Sequence, residues 1–183
     1  MSKKNYKAVG VIVSLLFAAC LFVGCASSSG GPTIEIKRVD VVRDLISVED
    51  MGLVTLETTN GEVIYDLDLT RSAVKTGDVA TDIEDGDIGL TYILENGYPY
   101  KSLVNNKEID AYITQMAVWW YTSEDKISKD IKNPPEGADE YHLSEIVKDL
   151  VDKARSAVEV ESGKTAKIFG FDDTKKARVV GLF

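Results

Sequence analysis

Beyond residue 25 this chain has no cysteine; its two cysteines are Cys20 and Cys25. The rest of the sequence therefore has no disulfide, zinc–thiolate cluster or cysteine nucleophile open to it, and core burial alone must stabilise its fold. Histidine occurs once, as His142, with Glu145 three residues on and no third ligand in view, so it reads as a surface residue. Glycine-rich phosphate loops are missing. The acidic segment 77–87 supplies no calcium loop either: setting Gly86 at the turn position puts Thr81 and Ile83 where the first carboxylates belong. Nothing singles out one acid pair among 30 acidic residues, so no enzyme active site, cofactor or metal is expected. Basic residues are outnumbered, 21 to 30, for a net charge of −9, and form no stripe along the sequence. Such a chain is a poor nucleic-acid binder and is repelled by anionic lipid and polyanionic polymers.

Long apolar runs are confined to the N-terminus. Lys3, Lys4 and Lys7 precede an uninterrupted apolar or small stretch over residues 8–23. It is too short to cross a ~30 Å hydrocarbon core comfortably and suits the hydrophobic part of an export signal. The stretch closes on Leu21-Phe22-Val23-Gly24-Cys25, followed by a Ser/Gly segment. This resembles a bacterial lipoprotein box, with Phe22 unusual at its position and Cys20 as a second candidate. The resemblance implies residues 1–24 as a cleaved signal peptide, a diacylglycerol thioether on Cys25, and residues 25–32 as a flexible lipidated tether. An uncleaved membrane anchor is the alternative. Under either reading residues 33–183 form one domain outside the cytoplasmic membrane, held to its extracellular face. Loss of the leader leaves that domain more acidic still.

Residues 34–39 alternate as in a half-buried strand. Residues 53–58 and 62–69 are β-rich and flank Asn60-Gly61, a strong hairpin signal in which both central residues reach positive φ. The second run sets Val63, Tyr65, Leu67 and Leu69 on one face and Ile64, Asp66 and Asp68 on the other. Residues 77–87 read as an exposed loop, with Asp85 or Asp87 capping a short helix through Leu90, Ile93 and Leu94. Residues 122–137, with Pro134-Pro135, read as a loop. Residues 140–158 predict an amphipathic helix through Tyr141, Ile146, Leu150, Val151, Ala154 and Val158. Residues 165–171 and 178–183 close a final hairpin. Strands, then helices, then strands predict an α+β domain.

Residues 96–121, NGYPYKSLVNNKEIDAYITQMAVWWY, hold both tryptophans and four of the eight tyrosines. Asn96-Gly97 reads as a helix stop in which Gly97 takes the left-handed conformation and Pro99 blocks resumption. Asn105 or Asn106 then caps a new helix, reinforced by Glu108. Apolar residues at 109, 112, 113, 116, 119 and 120 have the spacing of a helix burying one stripe. Gln115 lies one turn from Trp119 on that face. A glutamine there is hydrogen-bonded, sits at a pocket mouth, or is chemically altered.

GYPYKS, a short loop and AYITQMAVWWY resemble the thioester domain of Gram-positive surface adhesins, most strongly over residues 93–121. In that family a Thr-Gln, a small residue, an aliphatic and a Trp lie on a helix preceded by a Gly-Tyr-Pro turn. The Gln side chain is joined to a cysteine thiolate with loss of ammonia, which makes an electrophile that traps an amine of a host protein. The resemblance implies Gln115 as the acyl half, with Thr114, Ala117 and Trp119 as its motif neighbours. It also implies an antiparallel β-sandwich or barrel with an inserted helical subdomain. The family's cysteine lies upstream in a Tyr-Cys-hydrophobe-Asp string. The matching string is Tyr65-Asp66-Leu67-Asp68, so Asp66 takes the cysteine's place and covalent chemistry is expected to be absent. A solvated strand residue is the other reading of Asp66. The function implied is a cell-surface lipoprotein with a degenerate, non-covalent adhesion module. It would be monomeric, with a host or neighbouring-cell surface protein as partner and Tyr98 and Trp120 as aromatic binding residues. The alternative is a structural or accessory envelope lipoprotein with no adhesin role.

Overall fold

The computed structural model describes residues 34–46, 51–68, 71–72, 74–123 and 137–183, all within one compact unit, Pro32–Phe183. The leader, Cys20, Cys25, the tether, Leu69 and most of the 122–137 loop lie outside the described residues. The elements in chain order are β1 (Ile36–Ile46), β2 (Met51–Thr58), β3 (Val63–Asp66), β4 (Asp82–Asp85), α1 (Ile88–Asn96), α2 (Lys107–Thr122), α3 (Leu143–Ser156), β5 (Ala166–Gly170) and β6 (Val179–Leu182). The six strands make one sheet in the order β1-β2-β3-β6-β5-β4, antiparallel at every pairing. Strand β6 thus slots beside β3, and the three α-helices of the described residues are inserted between β4 and β5. The class is α+β with inserted helices, as the element order predicts. The sheet, however, is a single open array and not a sandwich or a closed barrel. Among the described residues its two ends meet in the isolated Glu35–Val79 bridge, supported by Ile36 N–H donating to Asp78 O at 2.9 Å.

Alternation along the strands divides the core in two. Tyr65, Leu67, Ala166, Ile168, Val180 and Leu182 face the helices in the larger cluster. Ile34, Ile36, Leu56, Ile64, Phe169 and Val179 form a second cluster on the opposite face. The period of two along β3 is what sends Ile64 one way and Tyr65 the other.

Three local readings need correction. Gly61 takes φ +86°, but Asn60 does not reach positive φ. Gly61 N–H donates to Thr58 O at 2.9 Å and Thr58 N–H to Glu62 O at 3.0 Å, the pattern of a three-residue loop closed by a left-handed glycine. Part of the expected 77–87 loop is strand β4, because Asp82 to Asp85 pair with Gly170 to Lys167 of β5. Asp87 does cap α1, its Oδ1 accepting from Leu90 N–H at 2.8 Å. The third helix runs from Leu143 to Ser156, shorter than predicted. Val158 is therefore 87% exposed and outside the core.

Helix α2 departs most from its expected form. Asn106 caps it, accepting from Glu108 and Ile109 N–H, as the sequence suggests. Yet every residue from Ile109 to Trp120 is buried, not one stripe. The helix packs against α1, α3, β2 and β3, so it has no solvent face over that span. A helix enclosed in this way must find hydrogen bonds for each polar side chain it carries. Trp119 (4% exposed) and Trp120 (5%) are both in the main cluster. Truncating Trp119 to Ala should cost about 3–5 kcal/mol in urea melts, through lost transfer energy and a residual cavity. A melt that superimposes on the parent's would overturn this assignment.

Candidate functional site

Three polar side chains lie on the enclosed part of α2: Asp110, Thr114 and Gln115, all buried. Asp110 Oδ1 accepts from the backbone N–H of Leu103 and of Val104, each at 2.8 Å, and its Oδ2 accepts from Ser102 Oγ at 2.6 Å. A carboxylate with three donors is well compensated for leaving water, and it fixes the loop leading into its own helix. Thr114 Oγ1 donates to Asp110 O at 2.8 Å and accepts from Tyr98 N–H at 2.9 Å. That contact brings the Gly97 backbone against the helix. A Cβ at residue 97 would stand 2.5 Å from Thr114 Oγ1 and 2.9 Å from Ile93 O. Gly97 closes α1 at φ −111°, in extended and not left-handed backbone; it is glycine for want of room. Tyr65 reaches the same turn from β3, its hydroxyl donating to Tyr98 O. Burial pushes that hydroxyl's pKa far above its ordinary value.

Gln115 faces the end of β3. Its Oε1 accepts from Asp66 N–H at 2.9 Å and its Nε2 donates to Asp66 O at 2.8 Å. The reason is a gap in the sheet. β2 pairs with β3 through Leu56–Ile64 and Glu57–Val63 and no further. β6 pairs on the other side as far as Asp66–Val179, and Leu67 N–H continues to Arg178 O. Both peptide groups of Asp66 would be left over where β2 turns away. The primary amide of Gln115 has one acceptor and one donor at the spacing of a peptide group, so it completes the ladder as a neighbouring strand would.

The Asp66 side chain is half-buried. Its Oδ1 accepts from Asp68 N–H at 2.9 Å. Burial pushes its carboxyl from 3.8 up to about 7, with the Asp68 N–H bond opposing the shift and the Asp68 charge adding to it. Asp68 behaves in the opposite way. Burial raises its pKa, but Arg178 outweighs this and holds the carboxylate below its usual range. Arg178 N–H lies 2.9 Å from Asp68 Oδ2, and Arg178 Nε and Nη2 lie 3.2 and 3.3 Å from the two carboxylate oxygens. Arg71 adds a contact at 3.7 Å. The two acids are thus an ion-paired one and an unpaired one, two residues apart.

The structure brings Asp66, Gln115 and Thr114 together with Tyr98 beside them. Ala117 and Trp119 lie on the same helix inside the core, and the Trp119 indole Nε1 has no acceptor. Trp120 is enclosed in the core and presents no face to a partner, contrary to its expected binding role. Tyr98 is half-buried and keeps a surface. Asp110 and Arg178 were not singled out as site residues in the sequence, and Tyr65 entered only as the first residue of the Tyr65-Asp66-Leu67-Asp68 string. Asp110 carried a usable signal, an acid four residues before Thr114 in an apolar helix; Arg178 carried none, being joined to Asp68 only by the fold.

Residues 58–156, more than half of the chain and including both Asp66 and Gln115, match the family described as thioester domain. In structure the chain is similar to the N-terminal domain of the Streptococcus pyogenes pilus tip adhesin Cpa, at 14% identity and a TM-score of 0.55, covering 85% of this chain and 96% of that one. It is similar to the N-terminal thioester domain of a Clostridium perfringens surface protein, at 12% identity and TM-score 0.51, covering 83% and 100%. A third likeness is the N-terminal thioester domain of the fibronectin-binding protein SfbI from Streptococcus pyogenes, at 13% identity and TM-score 0.53, covering 82% and 92%. At these identities the likenesses establish the fold. No curated protein sequence matches the chain.

Gln115→Ala should cost about 2–4 kcal/mol in urea melts, because it strands both the N–H and the C=O of Asp66. A loss under about 1 kcal/mol would mean that water replaces the amide there. Asp66 generates a pH prediction. A carboxyl raised in the folded state favours folding fully below its unfolded value of 3.8, and that contribution is lost as pH rises through about 7. Asp66→Asn cannot ionise and keeps the Oδ1 acceptor. It should be more stable than the parent near pH 8 and gain nothing near pH 4. Equal stability near pH 8 would show that the carboxylate is solvated.

Proposed function

We propose that this chain, which belongs to the thioester-domain family, is a cell-surface binding module that has lost its thioester and holds its partner non-covalently. The observation that carries the reading is the pairing of Gln115 with the backbone of residue 66, at 2.9 and 2.8 Å. The acyl group of the family's reaction and the position expected for its thiol are adjacent, and that position is Asp66. No cysteine follows Cys25 in the sequence. A carboxylate cannot take the thiolate's part. It is the weaker nucleophile, and the anhydride it would form with Gln115 hydrolyses rapidly, whereas a thioester persists in a dry pocket. Covalent capture is therefore closed to this domain, and so is any enzymatic role built on it.

The rest of the reading is export, lipidation at Cys25 and display on the extracellular face of the cytoplasmic membrane. The partner is a protein on a host or neighbouring cell, bound by a single copy of the domain. The structural relatives named above are a pilus tip adhesin, a surface protein and a fibronectin-binding protein, which supports adhesion over a purely structural envelope role. The enclosure of Trp119 and Trp120 favours the structural reading for that one aromatic pair.

Restoring the thiol tests the proposal. The parent should show the mass of its sequence and take up no methylamine. Asp66→Cys should lose about 17 Da, the mass of ammonia, as the cysteine sulfur displaces the Gln115 amide nitrogen. It should regain mass as a methylamine adduct, and Asp66→Cys combined with Gln115→Ala should do neither. A folded Asp66→Cys protein with a free, titratable thiol would overturn the assignment of residue 66.

A further inference from the structure

The turn that Asp110 and Thr114 hold in place carries a patch unlike the rest of the surface. Lys107 Nζ lies 5.7 Å from the centre of the Tyr98 ring, and Lys164 Nζ lies 4.8 Å from that of Tyr100 and 3.3 Å from its hydroxyl. Lys101 Nζ donates to Asn96 Oδ1 at 2.7 Å. All three lysines are exposed, and their partners are rings, a hydroxyl and an amide. Five other described lysines pair with carboxylates: Lys37 with Glu57, Lys148 with Asp152, Lys153 with Asp149, Lys167 with Asp85, Lys176 with Asp78. Asp110, the acid beneath the turn, is buried and spent on Ser102, Leu103 and Val104. Tyr100 is 44% exposed, Pro99 and Ser102 are exposed, and no acid occurs from residue 96 to residue 107. In a chain of net charge −9, this is a locally positive surface with aromatic faces, flanked in sequence by exposed Glu108 and Glu161.

We propose that the surface formed by Tyr98, Tyr100, Lys101, Lys107 and Lys164 binds an anionic polysaccharide. Tyrosine rings offer flat faces to the C–H sides of sugar rings. Lysine ammonium groups are point charges that accept sulfate or carboxylate from many directions, whereas an acidic peptide is better met by the planar fork of arginine. Aliphatic surface, which a peptide's side chains would need, is limited at the turn: Leu103 and Val104 are half-buried. The acidity of the whole chain does not cancel the patch. At physiological salt the Debye length is about 8 Å, so acids beyond the patch margin are screened from a ligand in contact with it. The absence of a basic stripe in the sequence is no obstacle, because the fold joins residues 101 and 107 to residue 164. The proposal goes beyond the lost covalent chemistry and does not rest on it.

The probe is a heparin-derived hexasaccharide, titrated into the full chain at physiological salt and followed residue by residue by NMR. Saturable shifts are expected at residues 98–101, 107 and 164, disappearing at several-fold higher salt. Combined Lys107→Gln and Lys164→Gln should weaken binding roughly tenfold, two screened ion contacts' worth. Lys148→Gln, on the ion-paired face of α3, should leave it unchanged. Asp66→Cys should also bind as the parent does, so failure of the thioester test and failure of this one are separable. Three outcomes overturn the proposal: shifts confined to Lys3, Lys4 and Lys7; equal binding of poly-glutamate, which assigns the patch to acidic peptides; or no shifts at the turn.

Discussion

The side-chain amide of Gln115 lies where a strand ought to be. β2 leaves β3 after Leu56–Ile64, and without a substitute the edge of Asp66 would end as an unpaired N–H and C=O against the helical layer. An amide from α2 fills the place at 2.9 and 2.8 Å. Helix position and sheet edge are thereby set by one another. The same helix makes two further attachments through Thr114 and Asp110, to the Tyr98 peptide and to the 102–104 loop. Each bond contributes only about 1 kcal/mol net, but an orphaned partner in this dry layer costs more than the bond supplies. The three polar residues of an otherwise apolar helix thus specify where β3, the Gly97 turn and the incoming loop must sit.

On the proposed reading, this arrangement explains how the fold persists without the family's chemistry. Formation of a thioester needs an acyl donor held against a nucleophile, and holding is done by backbone groups that do not depend on the side chain at residue 66. A carboxylate at residue 66, where the proposed reading expects the thiol, leaves the clasp intact. The carboxylate carries its own cost. A half-buried carboxyl without a cation is pushed up to about 7, while Asp68 two residues on, paired with Arg178, stays acidic. Burial decides the first case and charge pairing the second, on one short stretch of backbone.

Much of this was legible in the sequence, and the misses have physical causes. The Thr-Gln-x-x-x-Trp pattern identifies α2 because its residues are contiguous and helical periodicity is local. Asp87 and Asn106 are visible as caps for the same reason. The burial of α2 on all sides was not, since periodicity reports the most apolar face and cannot count the layers packed on the others. Gly97 was assigned a left-handed turn on local chemistry; its real constraint is Thr114, seventeen residues away. Asp82 to Asp85 read as loop because acidic residues disfavour strands, and pairing with β5 overrides that preference. The Asp68–Arg178 pair and the Lys107–Lys164 patch join distant segments, which no window along the chain can reveal.

In non-covalent binding, affinity depends on how little freedom the binding surface loses on contact. The turn at residues 97–106 is well prepared in this respect. Asp110 fixes Leu103 and Val104, Thr114 fixes Tyr98, and Tyr65 closes on the Tyr98 carbonyl. Tyr100 is tied at its hydroxyl to Leu182 O at 3.2 Å, so its ring is oriented by β6 before any ligand arrives. The lysines over these rings are held by weaker cation–ring attraction, of about 0.5–1 kcal/mol each at exposed sites, and can swing to meet a charge at little expense. A rigid aromatic platform with mobile cations at its edge is the form of surface that binds a repetitive, charged and conformationally varied chain. It owes its rigidity to Asp110 and Thr114, on the same helix as Gln115.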